Sequence, residues 1–192
     1  MTLFNLAELF VKLFVKGGSD EDHICMQDGS FLNIDSAMAK IFFSFQTFYA
    51  YYVSISDDEC LIPKITELIG SSNSLMQKFA PAYASVFTLY SQSEIEYAVE
   101  RIQNFLFDLR QPNDIMLLIS SLITNPNVKI FLRCLLCSSL RQFHIFVEKD
   151  SVNLHRPFQP VFDSCMSKIN FRLMLHNAER LQLFIAPYIK NS

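Results

Sequence analysis

The run SEIEYAVERIQNFLFDL, Ser93–Leu109, decides the fold class. Ile95, Val99, Ile102, Leu106 and Leu109 recur every three or four residues, the spacing that aligns one face of an α-helix. Ser93 and Glu96 form an S-x-x-E box, in which hydroxyl and carboxylate reciprocally satisfy amides left free at a helix start. The spacing predicts a helix capped by Ser93.

Helical signals continue on both sides. Downstream, Pro112 and Asn113 open a helix that Thr124-Asn125-Pro126 stops. Val128–Cys137 reads as the next helix, Ser138-Ser139 as a turn, with helix resuming through Glu148. A loop at 150–159 containing Pro157 precedes two last helices over 160–175 and 178–189. Upstream, Pro81 starts or kinks a helix reaching Tyr90, and Asp57-Asp58-Glu59 and Gly70 suit the two ends of another. From Asp35 or Ser36 to Ile55 the length and lack of turn residues predict a long helix, although the aromatic run Phe42–Tyr52 also suits a strand.

At the N-terminus Thr2 is placed to cap a helix that Gly17-Gly18 ends, with a thin polar stripe at Asn5, Glu8, Lys12 and Lys16. Residues 19–33 carry Asp20-Glu21-Asp22 and Asp28-Gly29-Ser30. The twelfth position from Asp20 is Phe31, where a calcium loop needs a bidentate glutamate, so the segment reads as a solvated linker. The expected organisation is an N-terminal helix and acidic linker (1–33) before a helical-repeat domain (34–192). The expected fold is all-α: antiparallel helix pairs stacked as a TPR-like, PCI-type solenoid, without a legible repeat consensus.

Composition narrows the function classes. Of 192 residues 51% are hydrophobic and 18% charged, which excludes a disordered chain, and 4 glycines are too few for an all-β fold rich in turns. The net charge of -3 with scattered Lys and Arg offers no basic stripe for nucleic acid. A mean hydropathy of +0.22 asks for a large core or for apolar surface covered by partners. The most apolar stretch, Ala37–Ile55, is interrupted by Lys40, Ser44, Gln46 and Thr47, so the sequence does not point to a membrane. Thr2–Lys16 lacks the basic start and cleavage site of a signal peptide, and five irregularly spaced cysteines make no disulfide framework. A cytoplasmic or nuclear protein is expected.

Chemistry is sparse. Cys134-x-x-Cys137 is the one metal-like spacing; without a second pair it reads as core packing, and no metal or cofactor is expected. His23, His144, His155 and His176 stand in no nucleophile elbow or H-E-x-x-H helix. The chain therefore reads as a non-enzyme. The catalytic reading would be a small hydrolase or metal protein using His144 and Cys137.

Glu96, Ile102, Phe105, Phe107 and Asp108 fall in step with a helix of the form S-F-E-R-Y-x-x-x-L that ends in aromatics and an aspartate. Leu132 and Leu135, then Gln142-Phe143-His144 with Glu148, follow a leucine-rich helix and E-F-H-x-x-x-E; Val161, Ser164 and Met166 match a third helix. On these residues Glu94–Phe171 resembles the small PCI-type subunit of the proteasome regulatory-particle lid (the non-ATPase regulatory subunit 8 family). The sequence departs from that pattern at Ser139, Gln142 and Met166-Ser167-Lys168, and the resemblance implies a reduced version that keeps the helical repeats without the family's winged helix.

The resemblance implies a non-catalytic scaffold contacting other protein subunits of a large complex in ubiquitin-dependent degradation. Candidate partner contacts are Phe143, His144, Tyr49 and Tyr52. With Phe146 and Val147 nearby, Phe143 reads as core rather than contact, and His144 as a hydrogen bond holding a turn. The alternative is a stand-alone bundle of the Bcl-2 type that grips a partner helix in a groove, with the helix at 36–55 at its centre.

Overall fold

A computed structural model describes residues 3–18, 22–56, 77–78, 80–104, 106, 109–149, 157–185 and 187. Its contacts divide the chain into two compact units, Met1–Asp58 and Glu59–Ser192.

The first unit contains α1 (Leu3–Phe14), strands β1 (Val15–Gly18), β2 (His23–Met26) and β3 (Phe31–Asn33), and α2 (Ile34–Ser56). The strands form an antiparallel sheet in the order β1-β2-β3. Strands β2 and β3 therefore lie within the segment whose sequence reads as a solvated linker. The reason is local: Gly29 sits at φ 83, a conformation L side chains resist, and closes a tight turn. Its N–H reaches the Met26 carbonyl at 3.0 Å, and the Met26 N–H bonds Ser30 O at 2.8 Å. Asp28 Oδ1 fixes the corner by accepting the Ser30 N–H at 2.9 Å and hydroxyl at 2.6 Å. Asp-Gly is thus the hinge of a hairpin, with Cys25 opposite Phe31 and His23 opposite Asn33.

Asn33 ends the sheet and caps α2, its Oδ1 accepting the Ser36 N–H at 2.8 Å. Helix α2 packs against α1, β2 and β3. Phe10 holds this small core together, meeting Phe48 at 5.2 Å and Phe45 edge-on at 5.5 Å. Leu13, Met26 and Ala37 are buried beside them. Since α2 packs on strands preceding residue 34, the boundary expected after residue 33 lies inside this unit.

The second unit contains α3 (Pro81–Phe87), α4 (Gln92–Gln103), α5 (Pro112–Thr124), α6 (Val128–Lys149), α7 (Phe158–Lys168) and α8 (Phe171–Ile185). The molecule is mostly helical, as expected, with the small sheet in addition. Helix α4 starts one S-x-x-E box earlier than expected. Ser91 is the N-cap, and Glu94 accepts its N–H at 2.7 Å and its hydroxyl at 2.8 Å.

Helix α6 runs unbroken through Ser138 and Ser139, where a turn was expected. Both serines are buried, and their hydroxyls donate to Met174 O at 2.9 Å and Leu136 O at 2.8 Å. With carbonyl partners inside the bundle, they have no reason to break the helix. Every residue from Ile130 to Leu140 is buried, because α6 packs against α3, α4, α5, α7 and α8. The last break falls at Ile169-Asn170, not near 176, and Asn170 Oδ1 caps α8 through the Leu173 N–H at 3.1 Å.

Candidate interaction surface

The four residues singled out from sequence divide between the two units. Phe143 lies inside the second, 3% exposed. Its ring meets Phe158 at 5.0 Å, Phe162 at 5.4 Å and Tyr90 at 5.6 Å. Tyr97 closes the cluster edge-on against Phe158 and Phe162, at 6.2 Å each. The Phe143 ring thus belongs to the core between α6 and α7, the second of its two readings. His144 is the next residue on α6 and remains partly exposed, with Nε2 3.2 Å from Glu148 Oε1 one turn on. It holds no turn, because α6 has none there.

Tyr49 stands on α2, stacked on Phe45 at 5.8 Å and partly exposed. Tyr52 also belongs to α2, and its side chain lies outside the described residues. Tyr49 has company that the sequence did not single out: Phe31, Ile34, Met38, Phe42 and Phe43 are all exposed, Met38 by 61% and Phe43 by 64%. Ile34, Met38, Phe42 and Tyr49 follow at intervals of four, four and seven, so they run along one side of the helix. The charged residues of α2 are Asp35 and Lys40, and Lys40 is bound to Asp28 Oδ2 at 3.2 Å.

Several polar side chains of the second unit join one helix to another. Asp163 of α7 takes the Arg101 fork from α4, Nε to Oδ1 at 3.0 Å and Nη2 to Oδ2 at 2.5 Å. Tyr97 donates its hydroxyl to the same Oδ2 at 2.9 Å. Burial, followed by this bond to Asp163, pushes the Tyr97 phenol upward. With both oxygens engaged, this carboxylate clamps α4 to α7. At the far end of the bundle, Asn125 and Gln182 exchange reciprocal amide bonds at 2.7 and 2.8 Å.

Cys134 and Cys137 are buried free thiols. Burial pushes the Cys134 thiol up to about 12 and raises Cys137 well above the usual range, so both stay protonated at neutral pH. A neutral, buried thiol is a poor nucleophile. His144 follows Cys137 by two helical turns, about 10 Å along α6, too far for a direct pair. Among the described residues, no group of three His, Cys, Asp or Glu is placed to hold a metal. Cys165 is buried in α7, while Phe105, Phe107 and Asp108 of the lid-type pattern lie outside the described residues.

By length and hydropathy α6 meets the requirement for a membrane span, but 67% of its apolar window is buried, the pattern of a core helix. The most apolar stretch of the sequence, Ala37–Ile55, forms most of α2, which packs on the sheet. No protein family, curated protein or solved structure matches this chain.

Proposed function

We propose that this chain is a non-catalytic protein-binding component of a larger assembly, with the apolar side of α2 as its principal contact surface. The observation that carries the reading is the row Ile34, Met38, Phe42 and Tyr49, continued by Phe31 at the helix start, exposed in a unit whose own core is small. A contiguous apolar surface of this kind marks a binding site more often than a solvated face. Protein is favoured over membrane because a bilayer-surface helix carries a basic rim, and α2 offers one lysine already held by Asp28.

The residues shared with the PCI-type lid subunit, Phe143-His144 and Glu148 above all, make the proteasome lid the candidate assembly. Under that reading the chain supports lid assembly through contacts with neighbouring subunits. A second reading, the free-standing bundle that grips a partner helix, is favoured by α6. Stacked repeats pass contacts from neighbour to neighbour, whereas α6 touches every other helix named in its unit. The central helix of that bundle is then α6 and not the helix at 36–55.

Size exclusion of native extract separates the two, with the chain expected to co-migrate with a megadalton particle containing lid subunits. Met38→Glu with Phe42→Glu releases it from that particle while its circular dichroism and melting stay unchanged. Recovery of the wild-type chain only as a free monomer rejects the assembly reading.

A further inference from the structure

We infer that Arg133 is a receiving site for a carboxylate brought from outside this chain. Arg133 lies on α6, 4% exposed, on the side of the helix that also carries Ile130, Cys137 and Leu140, all buried. Its Nε is enclosed and meets no acceptor, and among the described residues no ion pair or hydrogen bond reaches the side chain. A guanidinium carries a full positive charge, and here its Nε is shut away from water with no counter-charge among the described residues.

The same unit shows how a buried arginine is ordinarily satisfied. Arg110 has a side chain 6% exposed and an equally enclosed Nε. Its other nitrogens reach Ile169 O at 2.9 Å and Asp114 Oδ2 at 3.4 Å, and its guanidinium lies 4.8 Å above the Phe171 ring. Arg133 has no such set among the described residues. An unpaired buried charge is strongly unfavourable, and replacing it with an apolar group of similar shape is commonly neutral or stabilising. An arginine kept in that position is complementary to a planar, bidentate oxyanion, the geometry of a carboxylate. The site belongs to the second unit and stands independently of the α2 surface.

The test uses the purified full-length chain, Arg133→Met and Arg133→Gln, melted in sodium acetate and in sodium chloride at equal ionic strength. Both variants are expected to melt within about 2 °C of wild type or above it, since nothing in the free chain loses a partner. Saturating acetate raises the wild-type midpoint by about 4 °C and leaves both variants unmoved. A fall of about 10 °C in both variants would mean that an acid of this chain already holds Arg133, and overturns the inference. An acetate effect absent from wild type, or equal in all three proteins, overturns it as well.

Discussion

The two units of this chain solve the problem of apolar side chains in opposite ways. The second closes its apolar residues around one helix: α6 is buried from Ile130 to Leu140, and the rings of Tyr90, Phe143, Phe158 and Phe162 interlock beside it. The first has α1, a three-stranded sheet and α2, with too few elements to enclose a helix as apolar as α2. It buries Phe10, Leu13, Met26, Ala37 and Phe48 and leaves Met38, Phe42 and Phe43 outside. High apolar content therefore has two meanings within one sequence, a filled core in one unit and open surface in the other.

The largest effect that would sharpen this contrast is expected from Phe143→Ala. The substitution empties the centre of the aromatic cluster and should cost about 3–5 kcal/mol, lowering the melting midpoint of the second unit by about 10 °C. Hydrogen exchange resolved by segment should show faster opening of α6 and α7 with the first unit unchanged. Equal loss of protection in α1 and α2 would break the contrast, because the units would then unfold as one.

A smaller effect, confined to the other unit, follows from Gly29→Ala. A Cβ at Gly29 meets no atom within 4 Å, so the cost comes only from φ 83 and should be about 1 kcal/mol. Exchange in β2 and β3 reports it. A change in α6 protection would again contradict independent behaviour.

The smallest effect is a titration. The Asp28 carboxyl is held at about 2, against an ordinary 3.8, chiefly by the Ser30 hydroxyl, then by the Ser30 N–H and Lys40. A lowered folded value means that these bonds contribute fully above about pH 4 and are lost as pH falls toward 2. The carboxyl carbon resonance should titrate near 2 in the wild type and move toward 3.8 in Ser30→Ala. An unmoved midpoint in that variant would show that the turn does not hold the charge.

Legibility in the sequence followed the range of the forces involved. Pro112 and Asn125-Pro126 bound α5 as read, because proline acts on its own backbone. The box before α4 was legible in kind but ambiguous in position, since Ser91-x-x-Glu94 and Ser93-x-x-Glu96 both satisfy the pattern. Ser138-Ser139 misleads because the carbonyl that satisfies Ser138 comes from Met174, 36 residues away. The hairpin has a local signal, since Asp28-Gly29 between short apolar runs favours a tight turn, but the acidic residues before it give the segment the composition of a linker. For the surface, Tyr49 was legible as an aromatic with a polar tip. Met38 and Phe42 were not, because period alone cannot say which apolar side of α2 lacks a neighbour. Arg133 was equally hidden, since burial without a partner is a property of the whole bundle.

The enclosed position of α6 also sets an order of events during synthesis. Residues through Lys149 leave the ribosome before Phe158–Ile185, yet α7 and α8 supply two of the walls around α6. In that interval a 22-residue apolar helix has α3, α4 and α5 beside it and an open flank. The nascent chain is therefore most exposed to chaperone capture, or to aggregation, between translation of α6 and release of α8.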